Sequence, residues 1–259
     1  MSEYSTSYSL IFKFQLAATQ KPPPDSFKDY MATVGFGLES ANVVGYAETG
    51  LRSGAKGVGA CFAPISGTKV NLQDLKVVGY EGENADTVNL QILDNLGRTV
   101  KTYFWADLPD DDIYGWLDEA EDIPEDVEFA MGDGLYFVSA EAGLSLQTSG
   151  AVPSADIAVA LRSGSKMVAN PMPTTVNLQN IIIGGYEGEN ADCVNLQILD
   201  SIGRTVKTYF WADLPDDDIY GWLDEAEDIP EDVEITAGEG LYIVSAEAGL
   251  TINFPAPTL

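Results

Sequence analysis

The chain has 259 residues, room for one large or two medium domains with real cores. An apolar content of 45% with abundant aromatics excludes a disordered acidic tail. The outlier is charge: 13 basic against 41 acidic residues give a formal −28, a surface that repels nucleic acid and anionic membrane and attracts divalent cations or basic partners.

The N-terminus lacks the positive region of a signal peptide, and Leu10-Ile11-Phe12 is too short an apolar core for one. No apolar run is long enough to span a bilayer, so the expectation is a protein made in the cytosol without membrane insertion. Ser7 to Leu16 predicts a strand, with Tyr8, Leu10, Phe12 and Phe14 alternating against polar neighbours and Ile11. That strand has no counterpart later in the chain. Pro22-Pro23-Pro24 then breaks any regular element.

From Leu51 onward the chain repeats itself. Leu51-Arg52-Ser53-Gly54 matches Leu161-Arg162-Ser163-Gly164, and Val70-Asn71-Leu72-Gln73 matches Val176-Asn177-Leu178-Gln179. A four-residue insertion near Cys61–Thr68 separates these anchors in the first copy. Gly97 through Glu128 returns as Gly203 through Glu234 without a single change. The expected organisation is an N-terminal extension, 1–40, followed by unit 1, 41–150, and unit 2, 151–259, each domain-sized. Thr148 to Pro153 reads as the linker.

Each unit reads as mainly β. Val88, Leu90 and Ile92 alternate with Asn89, Gln91 and Leu93, and Asp94-Asn95-Leu96-Gly97 turns the chain into the β-branched and aromatic run Thr99–Trp105. Gly134–Ser139 and Leu144–Gln147 predict a second hairpin around Ala140-Glu141-Ala142-Gly143. Pro109 to Ile123 predicts the main helix, with Ile113, Trp116, Leu117 and Ala120 on one face and Pro124 as a stop. The fold class expected is all-β: two tandem β-sandwich or small-barrel units plus the extra N-terminal strand, with little helix. Val77 aligned with Ile183, and Phe137 with Ile243, mark core positions. Cys61 and Cys193 do not occupy equivalent places, which points to free buried thiols instead of a duplicated disulfide or metal site.

The acidic run is a set of hard oxygen ligands. Asp110, Asp112, Asp118 and Glu121, with Asp216, Asp218, Asp224 and Glu227, fall near the ligand places of an EF-hand calcium loop, although Tyr114 takes the fifth place and a strand leads in. The acidic helix uses the same residues and also explains their apolar spacing. Calcium is therefore the cofactor candidate, second to the helix. Tyr103, Trp105 and Trp116, with Tyr209, Trp211 and Trp222, are candidates for stacking on sugar or for an interface, with core packing the commoner use of such rings. The chain has no histidine, which removes Ser-His and Cys-His pairs and most zinc sites. No P-loop is present, and the paired carboxylates lie on a segment that reads as wet, unlike the buried acid of a glycosidase. The chain reads as non-enzymatic.

Lys166 to Pro173 (KMVANPMP) and Ala237 to Val244 (AGEGLYIV) resemble the opening and closing strands of small β modules in tailed-phage structural proteins and bacterial surface proteins. The first copy departs from that pattern, with Cys61-Phe62-Ala63-Pro64 where Asn-Pro is expected. The resemblance implies a non-catalytic module in an assembly and assigns no site residue. The functional expectation is a structural protein that self-assembles with its own copies or with other structural subunits. It is a virion component (decoration, tail or tube) built in the host cytoplasm, or a filament or layer subunit at the cell surface. A carbohydrate-binding module and an acidic decoy that imitates DNA are the second and third readings.

Overall fold

The structure is a computed structural model, and it describes residues 9–11, 44–64, 68–80, 88–108, 113–186, 193–215 and 219–257. The N-terminal extension contributes β1 (Ser9–Ile11) to unit 1, which contains β2 (Val44–Gly50), β3 (Gly54–Val58), β4 (Lys69–Asn71), β5 (Lys76–Val78), β6 (Val88–Leu93), β7 (Thr99–Leu108), β8 (Ile113–Leu117), β9 (Glu128–Ala130), β10 (Leu135–Ser139) and β11 (Ser145–Ala151). Unit 2 repeats all but the first of these. Its strands are β12 (Ile157–Ala160), β13 (Gly164–Ala169), β14 (Val176–Asn177), β15 (Ile182–Gly184), β16 (Val194–Leu199), β17 (Thr205–Leu214), β18 (Ile219–Leu223), β19 (Glu234–Ile235), β20 (Gly240–Ser245) and β21 (Thr251–Phe254).

In unit 1 a five-stranded antiparallel sheet, β3-β10-β6-β7-β8, and a second sheet, β1-β2-β11-β5, share one apolar core. Unit 2 builds the same pair as β13-β20-β16-β17-β18 and β12-β21-β15. The pairs β4-β9 and β14-β19 add a small ribbon to each unit. Alternation explains which side chains enter the core: Leu135 and Phe137 of β10 and Leu144 and Leu146 around β11 are buried while their neighbours are not. Val77 and Ile183 are buried at equivalent places, as are Phe137 and Ile243. Both cysteines are free and buried. The fold is all-β, and the only helical pieces among the described residues are short 3-10 turns such as Leu72–Asp74 and Leu178–Asn180.

Three expectations need correction. The helix over 109–123 does not form: residues 109–112 lie outside the described residues, and Ile113–Leu117 is β8, paired to β7 with Trp105 opposite Trp116. Gly115, at φ +148, explains why, because that backbone geometry does not belong to a helix and a Cβ there would meet Oε1 of Gln73 at 2.6 Å. The ten-residue strand β7 also offers a sheet edge, and pairing with it outweighs the helical spacing of Ile113, Trp116 and Leu117.

The hairpin expected around 140–143 is a corner between sheets. β10 lies between β3 and β6, whereas β11 lies between β2 and β5. Both strands still point their apolar residues into one core, so the alternation cannot tell a hairpin from a crossover. The linker expected over 148–153 is mostly strand, since β11 runs to Ala151 and leaves only residues 152–156 between the units. The extra N-terminal strand completes a sheet within the chain, with Ser9 opposite Tyr46 and Ile11 opposite Val44. Leu10 lies in that strand; Tyr8, Phe12 and Phe14 lie outside the described residues.

Candidate functional site: the interface between the units

The six candidate aromatics are core residues. Tyr103, Trp105, Trp116, Tyr209, Trp211 and Trp222 are all buried, and the four tryptophans pack edge to face in the sequence Tyr114–Trp105–Trp116–Phe137 and its partial repeat in unit 2. None presents a ring to solvent. That removes them as open platforms for sugar.

The acidic run is dispersed along turns. Asp118 Oδ1 accepts hydrogen bonds from the backbone N–H of Ala120 and Asp122, and Glu121 sits at φ +62 in the same turn. Asp224 and Glu227 repeat this arrangement. Asp110, Asp112, Asp216 and Asp218 lie outside the described residues. Among the described residues no three carboxylate or thiol groups gather as a metal site. None of the described helices is long and apolar enough to cross a membrane.

What the structure brings together instead is the junction of the two units, made of the same contacts twice. The backbone N–H of Ala55 donates to Ser201 O at 2.6 Å, and that of Ser165 to Asn95 O at 2.8 Å. Gly59 N–H donates to Gly238 O at 3.0 Å, and its counterpart Ala169 N–H to Gly132 O at 2.9 Å. Arg52 Nη2 donates to Leu199 O at 2.8 Å and Arg162 Nη2 to Leu93 O at 3.2 Å. Val58 bridges Glu239 as Val168 bridges Asp133. Reciprocal pairs of this kind define an isologous interface, here about an approximate two-fold axis inside one chain. It lies at β3 and β13, the edge strands of the two five-stranded sheets, and so covers edges that would otherwise invite partners.

The turns between paired strands lock into this junction. Gly97 and Gly203, at φ +74 and +78, bring their backbones against the hydroxyls of Tyr242 and Tyr136 across the interface. A Cβ at either position would clash with the opposing tyrosine. Burial is the main cause that raises the Tyr136 hydroxyl pKa above its usual value.

Two clefts flank the axis. One, of about 390 Å³, is lined by Ile92, Leu93, Phe129, Leu161 and Met167 together with Arg162 and Lys166. Its counterpart, beside Arg52 and Lys56, is about 80 Å³. Four of the chain's 13 basic residues therefore sit at this junction, and their hydrogen bonds show what they do. Lys166 Nζ donates to Ala160 O and pairs with Asp133 at 2.8 Å, while Lys56 Nζ donates to Gly50 O at 2.6 Å. Burial holds the Lys56 ammonium below its ordinary pKa, opposed by Glu239 and assisted by Arg52. The cations fasten backbone carbonyls within and between the units. In the sequence Leu51-Arg52-Ser53-Gly54 marks the alignment of the two copies, and the signal for the junction is the grouping of scarce cations at equivalent places, Arg52 and Lys56 against Arg162 and Lys166.

Neither a family model, nor a curated protein, nor a solved structure matches this chain.

Proposed function

We propose that this chain is a non-enzymatic structural subunit that self-assembles. The virion of a tailed phage (decoration, tail or tube protein, built in the host cytoplasm) is the leading setting, and a surface filament or layer is the other. The supporting observation is the pairing of its exposed apolar side chains. Leu96 and Ile202 stand 66% and 67% exposed, Val100 and Val206 61% and 57%, and Tyr114/Tyr220 and Ile123/Ile229 repeat the pattern. Each molecule thus exposes the same apolar side chains twice, once in each unit. Two equivalent contact surfaces are the minimum for a chain of subunits to grow, and exposed apolar side chains are the groups such contacts bury.

The test is mass by light scattering after size exclusion, on the full chain and on a version starting at Ser26, each in calcium and in EDTA. Concentration-dependent oligomers that Val100→Asp with Val206→Asp abolish are the expected result. Loss of oligomers in the truncation alone would assign the contact to the N-terminal strand. Monomers in every buffer and at every concentration would overturn the reading.

A further inference from the structure

The junction between the units is chemically indifferent to which chain a unit belongs to. Most of its recurring contacts run between backbone groups: Ala55 N–H to Ser201 O and Ser165 N–H to Asn95 O, Gly59 N–H to Gly238 O and Ala169 N–H to Gly132 O. Only the short connection over residues 152–156 makes unit 1 meet the unit 2 of its own chain. We propose that this same surface takes the opposite unit of a second copy of the chain, so that molecules join by reciprocal exchange of units. The occupant follows from continuity with the interface already formed inside the molecule.

Asymmetry at the axis decides which pairing is preferred. Met167 of unit 2 packs its sulfur over Gly57 of unit 1, with a Cβ at Gly57 only 2.9 Å from Sδ. Two copies of unit 1 would place glycine against glycine and leave a void, and two copies of unit 2 would crowd methionine against methionine. The ion pair from Lys166 to Asp133 also spans unit 2 and unit 1. Exchange therefore pairs unit 1 of one chain with unit 2 of another. Closed pairs form when both junctions are satisfied reciprocally, and open chains form when they are not. Within a chain the short connection supplies an effective concentration on the order of millimolar, which keeps dilute protein self-paired. Exchange is favoured when chains fold together at high concentration.

The exchange uses neither the N-terminal strand nor the outer apolar residues, so it can fail while assembly through those surfaces persists, and the reverse. A charge-swap pair tests it. In Lys166→Glu the new carboxylate faces Asp133, and in Asp133→Lys the new ammonium faces Lys166, so each variant alone has like charges across its own junction. When the two variants pair reciprocally, one junction joins the two introduced charges and the other restores the native ion pair. The variants are unfolded in urea, mixed in equal amounts at about 0.1 mM, refolded and examined by native mass spectrometry. The expected result is a mixed dimer of twice the chain mass containing one of each variant, with each variant alone at least tenfold poorer in dimer. The full wild-type chain, refolded at the same concentration, gives dimers that are scarce after refolding at about 1 μM. Monomers alone in both the mixture and the concentrated wild type would overturn the proposal. So would dimers of either variant alone as abundant as the mixed one.

Discussion

Replacing Trp105 by Phe and, separately, Trp116 by Phe subjects two neighbouring core indoles to the same loss of volume. The rings lie opposite one another on β7 and β8 with centroids 5.3 Å apart, and both are fully buried. They differ in one atom's surroundings. Trp116 Nε1 donates to Leu75 O at 2.7 Å, whereas the buried Nε1 of Trp105 has no hydrogen-bond partner among the described residues. The lost ring area costs on the order of 1–2 kcal/mol at either site. At Trp116 the substitution also strands the Leu75 carbonyl, adding about 1–3 kcal/mol; at Trp105 it removes an unpaired donor and recovers a comparable amount. Trp116→Phe should therefore be the more destabilising by about 2–6 kcal/mol. The assay is the urea midpoint by far-ultraviolet circular dichroism at unchanged m, since removing a tryptophan compromises fluorescence. Unit 2 repeats the experiment internally, because Trp222 Nε1 donates to Ile181 O at 2.6 Å and Trp211 Nε1 is unpartnered among the described residues. Equal losses at the two positions, or a greater loss at Trp105, would refute the reasoning.

The free edge of β8 is closed by a side chain: Gln73 Oε1 accepts from Trp116 N at 3.0 Å while its Nε2 donates to Trp116 O at 2.9 Å and Pro124 O at 3.2 Å. Gln73→Ala should cost about 2 kcal/mol, water replacing part of three bonds, and should lower the temperature at which heated protein aggregates. Asp94 holds the β6–β7 turn, and hydrogen bonds from Arg98 and Leu96, with the Arg98 charge, depress its pKa to about 2. A depressed carboxyl stabilises the fold above its unfolded value and loses that contribution as pH falls toward the folded one. Between pH 4 and 2 the melting temperature of Asp94→Asn should therefore fall less steeply than that of wild type, and parallel curves would count against this. Cys61, buried and hydrogen-bonded to Thr148, has its thiol pushed up to about 11, chiefly by burial, and burial also raises Cys193. Both thiols should resist a disulfide reagent at pH 8 until the chain unfolds; prompt native labelling of either would contradict their burial.

Some of this architecture was legible in the residues. The alternation over Val88–Leu93, the turn at Asp94–Gly97 and the run Thr99–Trp105 predict a hairpin, and β6 and β7 pair antiparallel there. The interface was not legible, because most of its contacts are backbone N–H and C=O groups that every residue carries. Asn95 and Ser201 differ between the copies, yet their carbonyls do the same work. Arg52 and Arg162 could have been suspected, but nothing local says that their guanidinium groups reach Leu199 and Leu93 of the opposite unit.

The sequence by itself determined what depends on near neighbours: the duplication, the β character, the first hairpin and the turns that glycine and aspartate permit. Tertiary structure decided what depends on distant ones. Trp116 sits in a strand instead of a helix because β7 supplies a ladder and Gln73, far back in the chain, supplies the edge. The strands around 140–143 part into two sheets because β3 and β6 claim one and β2 and β5 the other. The two units close on each other because edge strands brought to the same place must satisfy their backbone hydrogen bonds, a demand that no local pattern of side chains records.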